Sequence, residues 1–91
     1  MIIDVLPSDS YAQTHIKDAV NFSVSKIDFA DDIQKSIPKD TEIVVYGWNN
    51  ASSEAIRAQT ILKSLGYKSV EILNGGLQKW INDKKDIVTT Q

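Results

Sequence analysis

The tetrapeptide Ile43-Val44-Val45-Tyr46 constrains the fold more than any other segment of the chain. It is β-branched and almost continuously apolar, without the alternation of a strand that keeps one face in water. It is therefore expected at the centre of a parallel sheet covered on both faces. A parallel sheet needs crossover connections, and the sequence after Tyr46 starts one. Gly47, Trp48, Asn49, Asn50, Ala51, Ser52 and Ser53 read as a tight strand-to-helix loop. Its glycine and asparagines tolerate unusual backbone angles, and its serines suit a helix cap. Beyond it, Ala51, Ala55, Ala58, Ile61, Leu62 and Leu65 fall within about 120° of one another at about 100° per residue, with Ile56 off that stripe. Gly66 stands where a left-handed C-cap belongs.

The rest of the chain repeats this alternation. Ile2-Ile3-Asp4-Val5-Leu6, closed by Pro7, reads as a buried first strand, and Ser8 is placed to cap a short helical turn to about Gln13. Residues 19–24 read as a second short strand. Ile27, Ala30, Ile33 and Ile37 recur at helical spacing before Pro38, which predicts a helix over roughly residues 26–36. Val70-Glu71-Ile72-Leu73 reads as another strand and Asn74-Gly75-Gly76 as a turn. A last short helix then runs from Leu77 to about Asn82 and carries Trp80. Strands alternating with helices give an α/β fold with a mainly parallel sheet and right-handed crossovers. No repeat and no Gly/Ser/Pro-rich linker interrupts the chain, so a single domain over residues 1–91 is expected.

Composition removes several chemistries. The chain has no cysteine, hence no disulfide, thiolate metal site or thiol nucleophile of its own. Ten Lys and Arg against twelve Asp and Glu give a net charge of −2, which offers no basic footprint for nucleic acid or an anionic membrane. Nothing in it calls for a metal or cofactor. The opening residues lack the basic and apolar regions of a signal peptide, and no apolar run approaches a membrane span, so the cytoplasm is the expected setting.

Other candidates read as structure. His15 is the single histidine and is expected to be hydrogen-bonded rather than catalytic. Ser52 and Ser53 lack the Gly-x-Ser-x-Gly elbow of a serine nucleophile and are accounted for as caps. Asp31 and Asp32 are adjacent on one helix, about 100° apart, and do not converge as a catalytic pair would. Asp83-Lys84-Lys85-Asp86 reads as a mixed-charge tail. At the Gly47–Ser53 loop, backbone amides at a helix start favour an anion, whereas a plain closing turn would select the same residue types. Trp48 at the loop tip is either packed on the sheet edge or exposed as a contact anchor.

The order of short motifs then carries a resemblance. Asp4-Val5, Tyr11, His15-Ile16 with Ala19, Val44-Val45-Tyr46 with a loop into a helix, Gly66-Tyr67 with Val70, and Gly75-Gly76 with Trp80 follow one another across nearly the whole chain. In that order and register the sequence resembles the rhodanese-like domain family. The resemblance implies a central, mainly parallel five-stranded sheet with helices on both faces, and a catalytic loop at the C-terminal edge of the central strand.

Departures from the family pattern bear on function. Where the family's sulfurtransferases place the cysteine that carries the persulfide, this sequence has Gly47, and glycine has no side chain to hold sulfur. Leu6 stands where the family usually has Arg, and Thr14, Lys17 and Asp18 replace Gly, Pro and Gly around His15-Ile16. The loop also lacks the Arg with which phosphatase-like relatives clamp a phosphate. No catalytic residue is therefore assigned. The expectation is a binding or regulatory module that uses the Gly47 to Ser53 loop to hold a protein partner or a small anion. The alternative is a sulfurtransferase-family enzyme whose thiol a partner supplies.

Overall fold

A computed structural model describes residues 1–89 of the chain. The strands are β1 (Ile2–Asp4), β2 (Thr14–Ile16), β3 (Val20–Asn21), β4 (Ile43–Tyr46), β5 (Val70–Ile72) and β6 (Ile87–Thr89). The helices are α1 (Ser8–Gln13), α2 (Phe29–Ser36), α3 (Glu54–Ser64) and α4 (Gly76–Asn82). The central sheet is parallel throughout and has the order β3-β1-β4-β5. The apolar run at residues 43–46 thus forms an inner strand, as its lack of alternation requires.

Side chains of β4 serve both faces of the sheet. Ile43 and Val45 enter a core with Ile3, Ile33, Ala58 and Leu62, which brings α2 and α3 to one side. Tyr46 joins Leu6, Ile16, Ala19 and Leu77 in a second cluster, against which Tyr11 and Trp80 of α1 and α4 pack. On α3 the buried stripe is Ala55, Ala58 and Leu62, with Ile61 and Leu65 half-buried, and Ile56 is 55% exposed on the far side. Ala51 belongs to the loop and not to this stripe.

Four further expectations are corrected. The central sheet has four strands rather than five, because β2 takes its backbone partners from β6 in a separate antiparallel ribbon that sets His15 opposite Val88. The tail after Asn82 therefore holds a strand that its charges conceal. The second strand of the sheet is two residues, not six. Beyond it, the amides of Phe22 and Val24 still bond to Asp4 O and Val5 O. α2 begins at Phe29, and Phe29 fills the core position assigned to Ile27, which is 99% exposed. Finally, Ser8 lies inside α1 behind Pro7, and Ser53 flanks α3 without any side-chain capping bond.

Among the described residues no helix is long and apolar enough to cross a membrane, and no cluster of three or more His, Cys, Asp or Glu could hold a metal ion.

Candidate functional site

The C-terminal edge of β4 is built on a buried polar network. Asp4 is fully buried at the end of β1, and its two carboxylate oxygens are both served. Leu6 N donates to Oδ1 at 2.9 Å and the Tyr46 hydroxyl donates to Oδ2 at 2.6 Å. Ile16 N donates in turn to the Tyr46 oxygen at 3.1 Å, so one phenol links β1, β4 and β2. Burial raises the Asp4 carboxyl above the ordinary aspartate value, while the bonds from Tyr46 and Leu6 and the field of His15 pull the other way. Tyr46 is pushed well above an ordinary tyrosine by burial and by its bond to Asp4. His15 joins a structural contact as expected: Nδ1 meets Tyr11 O at 2.8 Å, and its ring stacks on that of Tyr11 at 3.8 Å.

Above this network runs the Gly47–Ser53 loop, and α4 holds it down. Leu77 N donates to Gly47 O at 3.0 Å and Gln78 N to Trp48 O at 2.8 Å, two bonds from the first turn of α4 to successive loop carbonyls. This close approach requires glycine at residue 76. A Cβ there would lie 2.7 Å from both carbonyl oxygens, and φ is +61°. Asn49 Nδ2 donates to Gln78 Oε1, while its Oδ1 accepts from Ala51 N at 2.9 Å and from the Ser52 hydroxyl at 3.2 Å. Asn50 donates to Asn74 Oδ1 and accepts from Gly75 N, both at 2.9 Å. The polar side chains of Asn49, Asn50 and Ser52 are thus engaged in fastening the loop.

Gly47 is different. It is buried, its φ is not positive, and the atoms nearest an ideal Cβ on it would be Glu54 Cβ and Oε1 at 3.5 Å and Ala55 N at 3.6 Å. Those are ordinary contact distances, so neither backbone conformation nor space demands glycine. The scaffold would accept a small side chain, and the sequence withholds one. A pocket of about 260 Å³ lies beside it, lined by Gly47, Asn49, Ser52 and Ala55 among others.

Trp48 reaches the opposite flank. It is 42% exposed and borders a groove of about 370 Å³ in which Leu6, Leu77 and Ile81 stand beside the polar Ser10, Gln13 and Thr14. Leu6 is buried beneath this groove. The structure therefore brings the predicted loop residues together but divides them: Asn49, Asn50 and Ser52 hold the loop, Gly47 leaves a space, and Trp48, Ala51 and Ser53 stand at the surface. Glu54 was missed. Its Oε1 is buried beside Gly47 with no hydrogen-bond partner among the described residues, and the one sequence signal was an acidic residue at a helix start.

Relatives share this architecture. The family model for the rhodanese-like domain matches residues 1–83. A thiosulfate sulfurtransferase, GlpE of Coxiella burnetii, is 31% identical over 80 residues, covering 88% of this chain and 70% of that protein. The adenylyltransferase and sulfurtransferase UBA4 of Candida albicans is 35% identical over 89 residues, covering 91% of this chain but only 20% of its own length. Among solved structures, a Rhodanese_3-like domain from Anabaena superposes with a TM-score of 0.86 at 29% identity, covering 96% of this chain and 95% of that one. A Bacillus halodurans protein gives 0.88 at 28% identity, covering 99% of this chain and 64% of that one. Motif order, sheet topology and these matches agree, and the chain belongs to the rhodanese-like domain family.

Proposed function

We propose that this rhodanese-like domain works by binding rather than by sulfur transfer, with the Gly47–Ser53 loop and Trp48 as the contact surface for a protein partner. The observation that carries the reading is the division of labour within the loop. The position following Tyr46 has no side chain, and no cysteine exists elsewhere in the chain to carry a persulfide. Asn49, Asn50 and Ser52 hold the loop rigid, which lowers the ordering cost of a contact made on it. Trp48 is left exposed beside a groove with an apolar floor of Leu6, Leu77 and Ile81 and polar Ser10, Gln13 and Thr14 around it, an arrangement that suits an interface anchor. Sulfurtransferase names among the relatives speak for a shared scaffold, and proteins on one scaffold often differ in chemistry.

Two measurements test this. With thiosulfate and cyanide, the purified protein should give no rate above buffer, and turnover that survives repurification would overturn the reading. In pull-downs from the native cell, Trp48→Ala should weaken partner capture by about 2 kcal/mol or more. Its folding stability should fall by no more than about 1 kcal/mol, since the side chain is not core. A large stability loss with unchanged capture would assign Trp48 to the fold instead. A rate that appears only when a thiol-bearing partner is added would support the alternative of an enzyme completed in trans.

A further inference from the structure

Asn74-Gly75 is the one place in the sequence where an asparagine precedes a glycine. Asparagine is a labile residue, and this pair is its most reactive setting, because the glycine amide nitrogen can attack the asparagine side-chain carbonyl with no Cβ in the way. The fold cannot dispense with the glycine. Gly75 has φ +82°, and a Cβ on it would lie 2.5 Å from Lys79 Cβ and Cδ. Asn74 is exposed in the turn ahead of α4, so water has access to it.

Both reacting groups are held by a single side chain of the Gly47–Ser53 loop. Gly75 N donates to Asn50 Oδ1, and Asn50 Nδ2 donates to Asn74 Oδ1, each at 2.9 Å. A backbone N–H can only donate, which fixes the orientation of the Asn50 amide. Attack requires the Gly75 nitrogen to give up its proton and the Asn74 side chain to fold back over its own backbone. The first bond occupies that proton, and the second draws the side-chain oxygen toward residue 50, 24 positions away in the chain. A donor on Oδ1 would by itself polarise the carbonyl; here the same side chain also pins the nucleophile.

We infer that Asn74-Gly75 is a self-modification site that Asn50 keeps closed and that opens when the loop lifts. In the open state Gly75 N bonds to Asn74 Cγ, and the side-chain nitrogen leaves as ammonia with the proton the amide gave up. A cyclic imide remains. Water then adds at one of its two carbonyls. Addition at Cγ gives aspartate, and addition at the Asn74 backbone carbonyl gives isoaspartate, in which the chain runs through Cγ and is one carbon longer. Leu77 N and Gln78 N, directly after this turn, hold Gly47 O and Trp48 O, so the longer backbone misplaces both bonds. Opening of the loop thus leaves a covalent record, whether or not the loop binds a partner.

The test follows residue 74 by peptide mapping and mass spectrometry during incubation at neutral pH, with isoaspartate separated from aspartate. Wild type in denaturant sets the unprotected rate. Native wild type should convert about tenfold more slowly or better, the factor expected of two ordinary hydrogen bonds. Asn50→Ala should raise the native rate about fivefold or more. Ile33→Val, which weakens the core at α2 away from the loop, should keep the wild-type rate. Native wild type converting as fast as denatured protein would overturn the inference without any variant. Equal rates in wild type and folded Asn50→Ala, or equal acceleration in Ile33→Val, would overturn the role of Asn50. Asn50→Ser, with a shorter side chain, repeats the arm should Asn50→Ala fail to fold. In the isolated isoaspartate form the amides of Leu77 and Gln78 should exchange with solvent faster than in wild type, and unchanged exchange would overturn the release of the loop.

Discussion

Asp4 and Glu54 are carboxylates at the same edge of the sheet, and their surroundings are opposite. Asp4 receives a donor on each oxygen and ties three strands through Tyr46, whereas Glu54 has a buried oxygen that receives none. The first is a structural group whose polarity is fully used inside the fold. The second leaves one oxygen without a donor, beside the one loop position that lacks a side chain. Burial alone therefore does not tell how a carboxylate is used here. The count of satisfied partners does.

The largest effect should come from the satisfied member. Asp4→Ala strands two buried donors, Leu6 N and the Tyr46 hydroxyl, and at about 1–3 kcal/mol for each it should cost about 3 kcal/mol or more in denaturant unfolding. Tyr46→Phe removes one donor and should cost about 1–3 kcal/mol. A loss below 0.5 kcal/mol, roughly the scale of surface changes, would break the assignment of Asp4 as structural.

Next comes pH. Burial raises the native Asp4 carboxyl above its unfolded value, so in the acid range the folded state holds a proton that the unfolded chain has already released. Its contribution is complete below the unfolded value of about 3.9 and is lost as pH rises through the native value. Stability traced across mildly acid pH should carry this downward component, and Asp4→Asn should remove it. An unchanged profile in that variant would show that the burial of Asp4 is compensated in full by its two donors.

The smallest effect belongs to Glu54. Glu54→Gln removes a half-buried charge with one unpartnered oxygen and also a favourable charge at a helix start worth about 0.3–1 kcal/mol, so the two changes oppose each other. Stability should stay within about 0.5 kcal/mol of wild type. A loss comparable to that of Asp4→Ala would erase the contrast and make both carboxylates structural.

Local features carried most of the fold. The unbroken run at residues 43–46, the glycine and asparagine after it, the stripe through Ala55, Ala58 and Leu62 and the turn at Asn74-Gly75-Gly76 each follow from propensity within a few residues, and the structure keeps them all. Errors fell where a neighbour distant in sequence decides. Ile27 and Phe29 compete for one core position, and only the packing of α2 against the sheet selects the aromatic residue. The strand at residues 87–89 has no signal of its own strong enough to outweigh the charges before it, and it forms because Thr14–Ile16 lacks a partner in the main sheet.

The candidate site divides in the same way. Its position after the central strand, the missing thiol and the presence of an aromatic residue at the loop tip follow from the sequence, because residue identity and order are enough to place them. That Asn49 fastens the loop to α4 and Asn50 to the Asn74-Gly75 turn, that Trp48 stands exposed beside Leu6 and Leu77, and that Glu54 turns a buried oxygen toward Gly47 were decided by tertiary structure. These arrangements depend on groups distant in the chain, such as Trp48 and Leu6, 42 residues apart, meeting at one sheet edge. Hydrogen-bond satisfaction is a property of that meeting, which no local pattern records.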